Sequence, residues 1–354
     1  MNLEQLGFDE FFKEKTDPEK FNQFSIARVI AVNKNSCIIT TSGNEIFAEL
    51  TGKFLFDADS PLDYPTTGDF VYAQIFNDNS FAVIHDLLPR KSVLKRKMPG
   101  KKVDFQLIAS NINTAMVVQA LGGDYNIRRL ERYLVMIIEG NIEPLLLLSK
   151  SDLLSKEEIE NKIAEIHNLF PDLKVIAFSN QNDHELEKVR ELFTAGKTYC
   201  LVGSSGVGKT TLLNNLIHSQ VFETQPVRNS DQRGRHTTTR RELIFLDNGA
   251  MLIDTPGMRE LGIISEEHAI DESFSDAAAL TKQCRFRDCT HIKEEGCALL
   301  EAVENGKLSQ ERYNSYIKLM KESSFNQMSY VEKRRKDKEF GKMVKSILKD
   351  HPKK

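Results

Sequence analysis

Eight consecutive residues, Gly203-Ser204-Ser205-Gly206-Val207-Gly208-Lys209-Thr210, constrain this chain more than any other segment. They match the phosphate-binding pattern G-x-x-x-x-G-K-[ST] without a mismatch. The apolar run Tyr199-Cys200-Leu201-Val202 precedes them and a helical run from Thr211 follows, so the loop joins a strand to a helix. Glycines let the backbone wrap close to phosphates, and successive N–H groups form an anion nest at the positive end of a helix. Lys209 is expected to neutralise the β and γ phosphates, and the Thr210 hydroxyl to ligate Mg²⁺, with Thr211 grouped among the nucleotide contacts.

Two later segments fit the same site. Asp254-Thr255-Pro256-Gly257 ends an apolar strand, placing a carboxylate for Mg²⁺ and the Gly257 N–H for a third phosphate. Between them lies the polar stretch Gly234-Arg235-His236-Thr237-Thr238-Thr239-Arg240. One of its threonines is expected to complete the Mg²⁺ coordination and order the loop, with Thr238 chosen and Thr237 and Thr239 left open. Gly257 is followed by Met258, which cannot orient water, so His236 is taken as the catalytic candidate. A group supplied by a partner is the alternative.

A guanine-specific site needs a carboxylate facing N1–H and N2–H₂, and a purine lacking those donors leaves that acid unpaired. The usual Asn-Lys-x-Asp reads here as Ser149-Lys150-Ser151-Asp152, with serine in place of an amide able to reach both base and phosphate loop. That change is expected to cost about 1 kcal/mol of positioning. The second base loop, usually Ser-Ala-x, reads Ser179-Asn180. Both sit at the C-terminal ends of apolar strands, where α/β sheets bind ligands. The base motifs precede the phosphate motifs, the reverse of the ordinary order, so the domain is read as circularly permuted. The segment after Asp254 then leads into the C-terminal region, so loss of the third phosphate could act on it directly.

Cys284-x₄-Cys289-x-His291-x₅-Cys297 gathers three thiols and one imidazole in a chain with five cysteines. Four such ligands suit one tetrahedral, structural Zn²⁺ stapling a small helical domain. Cys37 and Cys200 stand in apolar, strand-like surroundings and read as small buried residues.

At 354 residues the chain exceeds one typical core, and 40% hydrophobic with 28% charged residues is ordinary for a soluble protein. Five short strands separated by turn residues over 24–88 fit an OB-fold barrel after a lead at 1–23. Alternating strands and helices over 113–263 fit a mostly parallel sheet, and 264–354 reads as a helical zinc domain with a basic tail. The net charge of −3 hides two basic stretches, the linker 89–112 and the tail from Lys333, which together suggest a polyanionic partner. No basic-then-apolar leader and no run long enough to span a bilayer is seen, so a cytoplasmic monomer with no membrane partner is expected.

These segments resemble the ribosome small-subunit-dependent GTPase A family (RsgA, also called YjeQ or YloQ). The resemblance covers nearly the whole chain. It rests on Arg90-Lys91-Ser92-Val93-Leu94, the permuted order, the phosphate loop and Gly234-Arg235-His236-Thr237-Thr238-Thr239. Asp254-Thr255-Pro256-Gly257, the run 284–291 and Gly296-Cys297 complete it. It implies an OB-fold, a permuted GTPase domain and a zinc domain. It further implies a catalytic role for His236 and GTP hydrolysis stimulated by the small ribosomal subunit, with its rRNA, during late maturation. Two other readings are kept: a nucleotide-gated RNA clamp with little hydrolysis, and a relative whose altered base motifs no longer select guanine.

Overall fold

The computed structural model describes residues 1–34, 36–76, 79–97, 105–217, 241–254 and 267–327. The chain divides into two compact units, Met1–Arg96 with Phe105–Leu261, and Lys97–Asp104 with Gly262–Lys354.

In the first unit two short helices, α1 (Glu10–Lys15) and α2 (Pro18–Gln23), lead into a barrel. Its strands are β1 (Ser25–Val32), β2 (Cys37–Thr40), β3 (Ile46–Leu50), β4 (Phe70–Phe76) and β5 (Phe81–Leu87), with α3 (Gly52–Asp57) after β3. They close in the order β1-β2-β3-β5-β4, with β3 and β5 parallel. This is the OB-fold arrangement the sequence suggested. Alternate residues such as Val29, Ile39, Ile46, Val71 and Ile84 fill the interior, while Phe8, Phe12, Phe70 and Tyr72 form a second apolar cluster with the N-terminal lead.

The stretch 89–112 differs from the linker expected of it. Residues Val93–Lys97 (β6) and Phe105–Ser110 (β7) pair as a two-stranded sheet. Three of its cations face carboxylates: Arg90 meets the buried Asp69 at 2.8 Å, Lys91 meets Asp9 at 2.7 Å and Lys95 meets Glu139 at 2.8 Å. A neutralised cation is a weaker lure for phosphate than a free one.

The central sheet contains β8 (Thr114–Ala120), β9 (Glu143–Ser149), β10 (Lys174–Phe178), β11 (Thr198–Val202), β12 (Leu243–Phe245) and β13 (Met251–Ile253). The order is β10-β9-β8-β11-β13-β12, parallel except for the β12–β13 hairpin. Helices α4 (Ile127–Glu139), α5 (Lys156–Leu169), α6 (Asp183–Arg190) and α7 (Lys209–Leu216) cover it. Because side chains alternate, Val117, Leu146, Leu148 and Val202 face a core with α4 and α5. Met116, Leu145, Leu147 and Leu201 face another with α6 and α7. Chain order reverses between β8 and β11, which makes that junction the sheet's switch point, where a ligand crevice belongs.

Barrel and sheet are joined by Arg28 of β1, which is 1% exposed. Its guanidinium donates to Thr198 Oγ1 at 2.8 Å, Gly68 O at 3.3 Å, Asn111 O at 3.4 Å and, closely, the Leu6 carbonyl. Burial lowers its pKa to about 9, so it stays charged at neutral pH. Gly68 has φ +99, and a Cβ there would lie 2.1 Å from Ser110 O, so only glycine fits this close approach.

The second unit holds α8 (Glu267–Ser273), α9 (Ser275–Thr281), α10 (Ala298–Glu304) and α11 (Gln310–Gln327). Arg312, 1% exposed, grips Asp276 with Nε at 3.1 Å and Nη2 at 2.9 Å and lies over the Phe274 ring. A fork-to-carboxylate pair of this kind fixes orientation as well as charge. Among the described residues no helix is long and apolar enough to cross a membrane.

Candidate nucleotide site and metal cluster

The phosphate loop leaves β11 at Gly203, whose φ is +150 and whose Cβ position would lie 2.3 Å from Val118 O. Gly206 and Gly208 also have positive φ, +81 and +94, so the loop curls in a way side-chain-bearing residues resist. Lys209 opens α7 and turns back over the loop, its Nζ donating to Gly203 O at 2.8 Å and Ser204 O at 2.6 Å. Val207 is buried, anchoring the loop from below, whereas Ser205, Gly206, Thr210 and Thr211 are exposed. Across the switch point, Asp124 in the β8–α4 turn accepts from Ser204 Oγ at 2.8 Å and pairs with Arg129 at 3.1 Å.

Asp254 lies one residue beyond the Cys200–Ile253 pair of the parallel β11–β13 ladder. It therefore reaches the same sheet edge as Gly203, one strand over. Its carboxylate and the Thr210 hydroxyl are hard oxygen donors, the chemistry Mg²⁺ prefers, so the residues fit that ion. His236, Thr238 and Gly257 lie outside the described residues.

The base motifs stand at the ends of β9 and β10, adjacent parallel strands in which Phe178 pairs with Ser149. Lys150 has φ +60, and the turn Ser151–Leu153 that follows carries Asp152 on the surface rather than buried. Ser149 is 0% exposed, and its hydroxyl donates to Val207 O at 2.6 Å. Serine at this position thus keeps one of the two contacts the amide would make: its hydroxyl reaches the phosphate loop. Asn180 reaches it too, with Nδ2 3.2 Å from Gly208 O.

Glu185 of α6 ties the two base loops together, accepting from Ser151 Oγ at 2.6 Å and from Ser179 N at 2.7 Å. Sequence reading missed Glu185 and Asp124. The only trace of the first was an acid in the opening turn of a helix capped by Asn182, a common helix-start pattern.

In the second unit Cys284, Cys289, His291 and Cys297 bring their ligand atoms within 4.8 Å of one another. Cys284 Sγ is 3.9 Å from Cys297 Sγ, and His291 Nδ1 is 3.4 Å and 3.5 Å from those sulfurs. Tetrahedral Zn²⁺ with bonds of about 2.3 Å to sulfur implies sulfur–sulfur spacings of about 3.8 Å. The donor set fits zinc. His291 has φ +58 and Gly296 has φ +76, where a Cβ would meet Arg285 Cβ at 2.9 Å. Glu294 holds the loop between the ligands, accepting from the backbone N–H of Thr290, Ile292 and Lys293 and closely from the Thr290 hydroxyl. Those bonds, led by the hydroxyl, hold its carboxyl down to about 2. Tyr313 OH donates to His291 O at 2.7 Å.

A phosphate loop at the switch point, with base loops earlier in the chain, defines a circularly permuted P-loop GTPase. The family model for the RsgA GTPase matches residues 87–264. A relative in Bacteroides thetaiotaomicron, named small ribosomal subunit biogenesis GTPase RsgA 1, is 39% identical over 98% of this chain and 97% of its own. One in Vibrio parahaemolyticus, small ribosomal subunit biogenesis GTPase RsgA 2, is 36% identical over 98% of this chain and 93% of its own. YjeQ from Thermotoga maritima superposes with a TM-score of 0.62 at 24% identity, covering 84% of this chain and 98% of that one. YloQ, described as a circularly permuted GTPase, gives 0.61 at 23%, covering 87% and 97%. This chain belongs to the RsgA GTPase family.

Proposed function

We propose that this chain hydrolyses GTP to GDP and phosphate while bound to the small ribosomal subunit, and acts in that subunit's late maturation. The observation that carries the reading is the meeting of both base loops with the phosphate loop at the sheet's switch point, through Ser149 to Val207 and Asn180 to Gly208. The names of its relatives supply the ribosomal partner.

In this reading Asp152 accepts from guanine N1–H and N2–H₂, while Lys150 lines the base. Residues 203–208 wrap the phosphates, and Lys209 leaves its carbonyl partners for the β and γ phosphates. Thr210 and Asp254, with Thr238 chosen from the threonines 237–239, would hold Mg²⁺, whose charge would offset that of the phosphates. The Gly257 N–H senses the third phosphate, and His236 orients water. Cys284, Cys289, His291 and Cys297 hold one structural Zn²⁺. The barrel and the basic tail bind rRNA. The segment 89–112 contributes less than its charge suggests, since Arg90, Lys91 and Lys95 already face carboxylates. The protein works in the cytoplasm as a monomer, with no membrane partner.

The test is turnover of GTP against ATP by the purified protein, with and without small ribosomal subunits. GTP-selective hydrolysis that rises with the subunit supports the proposal. Flat turnover favours an RNA clamp, and equal use of ATP removes guanine specificity.

A further inference from the structure

We propose that Ser149 and Asn180 are complementary positioning residues: together they clasp the phosphate loop to the two base loops, Asn180 supplying the amide that position 149 lacks. This rests on the nucleotide reading above and specifies how its two halves are coupled.

A serine hydroxyl carries one proton, so it makes one donor bond. Two carbonyls lie near Ser149 Oγ, Val207 O at 2.6 Å and Gln119 O at 3.3 Å, and the shorter contact takes the proton. Position 149 thus holds the loop at a single point. The next carbonyl along, Gly208 O, receives Asn180 Nδ2 at 3.2 Å from the other base loop. Asn215 of α7 fixes which way that amide faces, since its Nδ2 approaches Asn180 O at 3.3 Å and Oδ1 at 3.4 Å. Arg190 Nη2 in turn donates to Asn215 O at 3.1 Å.

The space around Gly208 is shaped for this grip. It caps α7 with φ +94, and a Cβ there would lie 2.8 Å from Asn180 Nδ2. Successive carbonyls of one loop are therefore held by residues 31 positions apart, one from each base loop (180 − 149). Each departure from the usual base motifs looks like a loss when taken singly. Together they move the amide from the end of β9 to the end of β10 and keep two ties. Base and phosphate sites then move as one body, so losing a tie loosens both halves of a bound nucleotide.

The experiment is release of a fluorescent GDP analogue from the full-length protein, read by stopped flow. Loss of one neutral hydrogen bond predicts that Asn180→Ala speeds release about tenfold. Adding Ser149→Asn to Asn180→Ala returns the amide to its usual position and is expected to bring release back within about threefold of wild type. Asn180→Asp removes the donor at constant volume and should release at least as fast as Asn180→Ala, which keeps the test open if alanine fails to fold. Wild-type release by Asn180→Ala or Asn180→Asp, or a double variant no slower than Asn180→Ala, overturns the proposal. Equal wild-type retention of GDP and ADP would instead overturn the guanine reading beneath it.

Discussion

Gly203→Ala tests whether the curl of the phosphate loop is set by backbone crowding. The added Cβ would lie 2.3 Å from Val118 O and 3.3 Å from its carbonyl carbon, both backbone of the central strand β8. Favourable heavy-atom contacts begin near 3.5 Å, so one backbone must yield by about 1 Å. Overpacking of that kind costs about 1–3 kcal/mol. The residue also keeps φ at +150, a region that costs a side-chain-bearing residue roughly 1–3 kcal/mol more. The total is about 2–6 kcal/mol, and β8, hydrogen-bonded on both sides, cannot absorb it. If the loop moves instead, the lower end corresponds to about thirtyfold weaker GDP binding. If the loop is held, the strain lowers Tm. Anisotropy of a fluorescent GDP analogue and a circular-dichroism melt read the two outcomes on one sample. Gly52→Ala is the control, with open space around its Cβ position and a place in the first turn of α3; it should leave GDP affinity unchanged and Tm unchanged or slightly raised. Wild-type affinity together with wild-type Tm for Gly203→Ala would refute the reasoning.

Glu185→Ala frees Ser151 and Ser179 at once and should weaken GTP binding about tenfold, read by the same anisotropy assay. Burial pushes the Cys37 and Cys200 thiols up to about 12, so a thiol reagent at pH 8 should spare both in the folded protein. With a chelator present, only the three clustered cysteines should label, and all five after denaturation. Metal removal, or Cys297→Ser, should melt the helices around the cluster while GDP binding by the first unit persists, as shown by far-ultraviolet dichroism beside GDP anisotropy.

Much of the central fold was legible because apolar alternation and helix starts agree there. Strands at 114–120 and 198–202 and the helix at 127–139 lie where the pattern puts them. The pair β6–β7 was not legible. Its first strand places Leu94 in the core, but Lys95 and Arg96 give it the look of a solvated linker. The carboxylates that answer this stretch, Asp69, Asp9 and Glu139, stand far away in sequence, so a charge count finds them only after folding. The site divides the same way. Local order and glycine chemistry disclose the phosphate loop, and spacing discloses the metal cluster. The contacts of Ser149 and Asn180 to the phosphate loop, and Glu185's hold on Ser151, depend on partners 58, 28 and 34 positions away, which no window of sequence contains.

Arg28 bears on how far this protein can be taken apart. One barrel side chain satisfies acceptors in the N-terminal lead, in the bend at Gly68, beside Asn111 and on the strand that feeds the phosphate loop. β1 also touches the sheet's outer hairpin, where Ala31 bridges Glu242. A fragment beginning at residue 113 would leave that hairpin as a bare edge, inviting strand exchange between molecules. The barrel is therefore not a detachable module. Kinetics measured on such a fragment would describe a wounded enzyme, and gene fusions or domain swaps should cut beyond this joint, never through it.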